Sequence, residues 1–479
     1  MDNPSLRLQK IVYAIAATCL MCLVVYRAMN LAFTHDEADT YLLYHDANNW
    51  GLLFNPLSWD TGNNHWLNTT FYQWSVSLFG QSDFTLRLPN VVAFLSLLIV
   101  VYFFCFRLLC TPLSRVVLFC GFFLNPYALD FFSLCRGYGL SLAFQMHAFY
   151  FCCLYLSSEN NRNALIFWAF SSLFLASLSL LTFLILIPVC TLALWVILWM
   201  KNKKVYKDGF IILIPVLTFL GGLFLTWIPV NALSKNHEFE WGTPTLSESL
   251  ESLIGACRMG MDYLGASTSG ILLYALYLFL LLVFIKCIGQ IVRKKYSPLL
   301  FFFIIFIGLI AGLLLANSLG GVKFPSTRKA LIYLPILVLC LVYFLVDLNL
   351  KIRTSTFFSA AILILCLGHF CNSFQLNRTT EWSFDEHTKS ILKNISATSQ
   401  TDACSFAADW RLYPSVRYYL ETKNYEHIQL TALQKPLKWE TTLDYVYAIN
   451  GNDQKDTANF EPAFSSKETT LWKNKKTVK

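Results

Sequence analysis

Thr34-His35-Asp36-Glu37-Ala38 places two adjacent carboxylates just beyond the apolar run Ile11–Met29. Carboxylates at a membrane boundary are costly if they face lipid, so they usually line an aqueous cavity or take part in chemistry. Arg7 and Lys10 precede the run. The positive-inside rule therefore predicts a cytoplasmic N-terminus and delivers Asp36 to the outer membrane face as a candidate general base. Glu37 reads either as a second functional carboxylate or as a helix N-terminal charge that answers the macrodipole. The complementary charge lies far along the chain. The segment Ser318–Lys329 (SLGGVKFPSTRK) is a short predicted outer loop that carries Lys323, Arg328 and Lys329. Outer loops should be poor in such residues. An anionic ligand at the surface, such as a lipid phosphate, would gain charge-assisted hydrogen bonds from them; the blander reading is snorkelling to lipid headgroups.

The elements that must hold these groups are set by composition. Of 479 residues, 56% are hydrophobic and only 14% charged, about half the charged fraction of a soluble domain, which makes this a polytopic membrane protein. The net charge of +8 does not call for nucleic acid, because the basic residues cluster in short loops between apolar runs. The first run is too long for a cleaved signal peptide and reads as a retained helix. Most of the fifteen cysteines, including Cys105, Cys120, Cys152, Cys153 and Cys340, lie inside apolar runs where they pack as small hydrophobes, and neither a zinc site nor a disulfide framework is indicated.

About eleven spans are expected. After the first they run approximately Leu88–Leu109, Val116–Phe131, Gly137–Leu156, Ala164–Leu180, Phe183–Met200 and Gly209–Val230. The remainder are Ser269–Ile288, Leu299–Ala316, Ala330–Val346 and Phe357–Phe374. Alternation puts Arg107/Arg115, Arg162, Lys201/Lys203/Lys204/Lys207, Arg293/Lys294/Lys295 and Lys351/Arg353 on the cytoplasmic side, as the charge rule requires. In the first outer loop, Leu67, Phe71, Trp74 and Leu78 recur at helical spacing and predict an amphipathic helix over Trp66–Phe79 on the membrane interface. Tyr41, Leu42 and His45 suggest a second such helix after the acidic pair. Gly80 should stop the first of these, and Arg87-Leu88-Pro89 should open the next span with proline in its first turn. Leu246, Leu250, Leu253 and Cys257 predict a third interfacial helix.

From about Gln375 charged residues return and no further span is available. A helix pattern (Phe384–Ile395), a strand (Ala403–Ala407), a helix (Pro414–Thr422) and strands near His427–Leu430 and Tyr445–Ile449 predict a small α/β domain on the outer face. The expected division is thus 1–374 for the membrane domain and 375–479 for an extracytoplasmic domain. The tail has no phosphate loop or nucleophile elbow, so no catalysis is assigned to it.

The ordered set of Asp36-Glu37, Asn63-Asn64-His65-Trp66-Leu67-Asn68, Leu78-Phe79-Gly80 and Arg87-Leu88-Pro89 resembles the GT-C glycosyltransferases. The likeness is to the branch of the protein O-mannosyltransferases and the lipid A aminoarabinose transferase. It continues through Asn125-Pro126, Arg136-Gly137-Tyr138 and Arg328-Lys329-Ala330-Leu331-Ile332-Tyr333-Leu334-Pro335. It implies a GT-C-like membrane domain and a multi-pass protein of the cell inner (plasma) membrane. The implied donor is a polyprenyl-phosphate-linked sugar, and the acceptor a hydroxyl on lipid A or core, another envelope glycan, or protein. Two departures stand out: the family's His-Pro is His65-Trp66 here, and only Asp130 represents a helical acidic residue in the second outer loop.

A sugar on a lipid phosphate already has a good leaving group, so an enzyme must mainly deprotonate the acceptor hydroxyl and stabilise the departing phosphate. Asp36 is the expected base, and Arg328, helped by Lys329 or Lys323, the phosphate clamp of an inverting transferase. Asp130 or Glu37 could orient the acceptor or hold a divalent metal, although no cofactor is required by the sequence. Arg136 could bind substrate or pair with Asp130, and His65 is a binding residue by resemblance. A multi-pass lipid or solute transporter or flippase would also have such spans, but should show matching broken helices in repeated halves, which are not seen. A membrane scaffold is a further alternative. The first outer loop, with no lysine before Arg87, favours an active site over both.

Overall fold

The computed structural model describes residues 4–157, 163–201, 209–259, 268–398, 403–451 and 456–477. Arg162, Lys203, Lys204 and Lys207, which carry part of the charge argument, lie outside the described residues. The chain forms two compact units. The first comprises Met1–Val25 and Asn48–Phe374, and the second Tyr26–Ala47 and Gln375–Lys479. The acidic segment therefore belongs with the tail, whereas a simple cut after residue 374 would leave it in the membrane domain.

The first unit is built from apolar helices. Among the described residues, nine helices are long and apolar enough to cross a membrane: Leu6–Asn30, Asp83–Leu108, Gly137–Ser157, Leu181–Met200, Gly209–Lys235, Thr268–Val292, Pro298–Gly320, Thr327–Asp347 and Ile352–Ser373. The chain is accordingly a multi-pass membrane protein, since a helix satisfies its own backbone where no water can. Two further apolar helices, Pro112–Phe123 and Asn163–Ser179, are shorter. The first corrects the expected span Val116–Phe131. Asn125 caps a new short helix, Pro126–Asp130, by accepting the Ala128 N–H, which breaks the run just before Asp130. Helix Gly137–Ser157 packs against both Asn163–Ser179 and Asp83–Phe103, and most of its residues are buried.

The helix after Gly80 also starts earlier than expected. Ser82 and Thr85 form a reciprocal capping box, so the helix begins at Asp83 and Pro89 lies inside it, not in its first turn. Upstream, helix Trp66–Phe79 ends at Gly80, whose φ of +76° is one a side chain would resist. That helix buries Leu67 together with polar Asn68, Thr69 and Thr70, and exposes Trp74 and Leu78. Its apolar stripe is an outward face over its second half, as an interfacial helix requires.

In the second unit, five strands form one sheet in the order β2-β1-β3-β5-β4. They are β1 (Cys404–Ala408), β2 (Ile428–Leu430), β3 (Tyr445–Ile449), β4 (Phe460–Ser465) and β5 (Thr469–Asn474). β1 pairs in parallel with both β2 and β3, and β5 runs antiparallel to β3 and β4. Ala407, Leu443, Val446, Ala448, Phe460 and Trp472 make its core. Helix Tyr413–Lys423 crosses from β1 to β2 and also packs against helix His35–Tyr44.

Candidate functional site

The predicted site residues fall into two groups, one in each unit. In the first unit the positive groups come from three separate segments. Arg136 is fully buried and donates to Asn63, to Oδ1 at 3.1 Å and to the carbonyl at 3.4 Å. Arg328 Nε donates to the Tyr138 hydroxyl at 3.2 Å. Tyr138 in turn meets His65 edge-on, with ring centroids 5.3 Å apart.

His65 is the neutral centre of this group. Burial, and then the charges of Arg136, Arg328 and Lys329, hold its imidazole well below the usual range. Its ring bonds the Ser179 backbone, at the end of helix Asn163–Ser179 where carbonyls lack helical partners. Nε2 is buried and has no hydrogen-bond partner among the described residues. On a neutral ring whose other nitrogen carries the proton, Nε2 is an acceptor suited to a hydroxyl. Gly137 permits this packing. A Cβ there would fall 2.1 Å from the Ser179 carbonyl oxygen and 3.0 Å from the His65 ring.

Buried amides fix the surrounding frame. Asn90 Nδ2 donates to Asn68 Oδ1 at 2.8 Å, and Asn90 Oδ1 accepts the Leu140 N–H at 3.1 Å. These bonds tie helices Trp66–Phe79, Asp83–Phe103 and Gly137–Ser157 together beneath His65 and Arg136. Gln145 reaches the Ile332 carbonyl at 3.1 Å, linking the same frame to the basic segment.

The basic segment is itself clamped by helix Leu246–Arg258. Ser249 Oγ donates to the Pro325 carbonyl, and the Thr327 N–H reaches Ser252 Oγ at 3.0 Å. Phe324 and Thr243 exchange backbone hydrogen bonds at 3.0 Å. Lys329 Nζ donates to the Trp241 carbonyl at 3.2 Å. Lys323 bonds the Phe239 carbonyl through its backbone and keeps its side chain partly exposed. The third expected interfacial helix thus has a definite task. It holds the loop that presents Arg328. Asp130, also in this unit, is buried at the end of Pro126–Asp130.

In the second unit the acidic pair opens helix His35–Tyr44. Thr34 and Glu37 form a capping box, with the Thr34 N–H and hydroxyl both donating to Glu37 Oε2, at 3.0 and 3.1 Å. Glu37 is fully buried, so at least one of its oxygens has a local structural task. Phe33 and His35 are each pinned to the tail. The Phe33 N–H donates to the Tyr419 hydroxyl at 2.7 Å, and the His35 N–H to Asp385 Oδ2 at 2.7 Å. The His35 ring donates from Nδ1 to the Arg411 carbonyl, also at 2.7 Å. Asp385 sits with Asp36 and Glu37 in one carboxylate group. Burial first, then those two neighbours, push its carboxyl well above the ordinary carboxylate range.

Asn63 and Tyr138 lie inside the motifs that carried the resemblance, and the structure gives them partners: Arg136 and Arg328. Asp385 and Arg411 had no such signal, since their role is a contact across more than 300 residues of sequence. Among the described residues, no group of three or more His, Cys, Asp or Glu side chains is arranged to hold a metal ion.

No protein-family model matches the chain, and no curated protein matches it either. Its fold is similar to that of solved structures at low identity. ArnT from Cupriavidus metallidurans bound to undecaprenyl phosphate is 11% identical over 96% of this chain and 97% of that one, with a TM-score of 0.46. The archaeal oligosaccharyltransferase AglB from Archaeoglobus fulgidus, in complex with an inhibitory peptide and a dolichol-phosphate, is 10% identical. That match covers 92% of this chain and 70% of AglB, with a TM-score of 0.46.

Proposed function

We propose that this protein is a membrane glycosyltransferase of the GT-C kind, moving a sugar from a polyprenyl-phosphate donor to an acceptor hydroxyl on the extracytoplasmic side of the plasma membrane. The observation that carries the reading is the assembly of Arg136, Arg328 and Lys329 around a neutral, buried His65. Guanidinium and ammonium groups converging on one imidazole offer the charged donors that a phosphate diester accepts from. His65 Nε2 is left to accept from a sugar hydroxyl. Asp130 and Lys323 belong to the same substrate-binding unit.

On this reading the acceptor proton goes to Asp36 and the phosphate charge to Arg328. The acceptor oxygen attacks the sugar C1 from the side opposite the phosphate, so configuration inverts. The acceptor proton passes to the Asp36 carboxylate. The C1–O bond breaks with its electron pair moving to the phosphate oxygen, and Arg328 meets the charge that develops there. Glu37 holds Asp36 on the first helical turn.

Purified protein incubated with labelled polyprenyl-phosphate sugars, and with glycolipid, glycan and peptide acceptors, tests this directly. Label should pass to one acceptor class with release of the polyprenyl phosphate. Donor that is bound and moved across vesicles with no transfer would favour the transporter reading instead. Impermeant labelling of cysteines engineered near Lys201 and in the tail checks the orientation: only the tail should react from outside intact cells.

A further inference from the structure

The carboxyl ends of the parallel strands in the second unit carry an aromatic and cationic patch that the reaction as drawn does not use. β1 lies between β2 and β3 and is parallel to both, so the chain leaves its carboxyl end at a point where the strand order reverses. In open α/β sheets ligands bind outside the strand carboxyl ends at such a point. Trp410 sits there, directly after β1, with 41% of its surface exposed. Arg411 stands 5.8 Å from the Trp410 ring centroid and is braced by the buried Asp409 carboxylate at 3.4 Å. Lys435, from the loop after β2, places Nζ 4.2 Å over the same ring. The His35 ring meets Trp410 edge-on at 6.1 Å, and His35 is the residue before Asp36.

From this arrangement we infer that Trp410, Arg411 and Lys435 form a binding subsite for the acceptor, and that the acceptor is a sugar carrying a negatively charged substituent. The inference rests on the transferase reading and gives its acceptor a class. An exposed indole offers a flat apolar face to the C–H groups of a pyranose ring. The two cations flanking it supply what a phosphate or carboxylate on that ring would bind, Arg411 from a fixed position and Lys435 from a mobile stem. An exposed cation–π contact is weak, so an arriving anion draws the ammonium off the ring at little cost. A peptide acceptor would not need this pairing of a ring face with two positive charges.

The test measures binding without donor. The full-length protein in nanodiscs is titrated with glucose, glucose 6-phosphate, glucuronate and inorganic phosphate, and binding is read by ligand-observed NMR. Both anionic sugars should bind about tenfold more tightly than glucose or phosphate, since each provides both contacts. Trp410→Leu should remove most of that preference. Lys435→Ala should lower affinity for the anionic sugars several-fold, reduce their salt dependence and leave glucose unchanged. Both positions are exposed, and an unchanged thermal midpoint certifies the fold. Glucose 6-phosphate binding no better than phosphate, or indifferent to Trp410→Leu, overturns the inference. Phosphate binding that is lost in Arg328→Ala but kept in Trp410→Leu assigns the anion to the other unit and also overturns it. An active transferase that binds none of these sugars leaves the transfer reading standing without this subsite. Selective sugar binding by a protein that transfers nothing does the reverse.

Discussion

The two groups of functional side chains are built in opposite ways. Around His65, positive charges arrive from Arg136, Arg328 and Lys329, and the imidazole remains neutral among them. Around Asp36, negative charges sit on one short segment, and the tail pins that segment by its backbone through Tyr419 and Asp385. The first is assembled by packing across long loops; the second is local and is then fixed in place. A cluster assembled by packing fails when its frame shifts. A locally built one fails when its charges change.

The contrast can be broken most sharply at Asp36. Asp36→Asn should reduce transfer by about 100- to 10,000-fold, the usual loss for a general base, with expression and donor binding unchanged. Turnover near normal would remove Asp36 from the reaction. Arg328→Ala should come next, lowering turnover by about 100-fold and weakening donor binding as well, since charge grows on the leaving phosphate. Arg328→Lys should recover only part of this, because lysine lacks the planar fork. Unchanged donor affinity and turnover would reduce the basic loop to a headgroup contact.

The frame itself is tested by Gly137→Ala. The added methyl would strike the Ser179 carbonyl and the His65 ring, and overpacking of this kind costs about 1–3 kcal/mol. Thermal unfolding should show that loss, together with weaker donor binding and little change at Asp36. Asp385→Asn tests the acidic group. The carboxyl of Asp385 is raised in the folded protein, so its stabilising protonated form is fully present below the unfolded value, about 3.9. Stability falls as pH rises from there through the folded value. The amide keeps an acceptor for the His35 N–H, so the variant should melt higher than wild type at pH 7–8, with the difference closing near pH 4. The smallest effect is expected from Glu37→Gln. Glutamine also completes a capping box, so stability should hardly move, and any loss of turnover then reports the charge alone.

What the sequence revealed follows the range of the interaction that decides each feature. Helix Trp66–Phe79 was legible to the residue, because periodicity and Gly80 are local. Strand β3 was equally clear as a continuous apolar run. β4 was not, since Phe460 alone is buried along it and Pro462 interrupts the pattern of an edge strand. The break at Asn125 was hidden inside an apolar stretch, where hydropathy reads straight through a capping side chain. Among the candidate residues, Asp36 and Arg328 stood out because each was a charge in a place where charge is expensive. Asp385 looked like an ordinary surface carboxylate in a polar tail, and only the fold shows it buried against the acidic pair.

The contact at Gly137 also sets a rule for descent. Its hydrogen atom stands where a Cβ would meet both the end of one helix and the His65 ring. A lineage that acquired a side chain at this position would have to shift both the Ser179 backbone and the histidine, and one that lost the histidine would still meet the Ser179 carbonyl. The glycine should therefore persist among related chains even where the histidine, 72 residues earlier in the text, has changed. Engineered libraries randomised at both should recover folded protein only where glycine is drawn, whichever residue stands in the histidine's place.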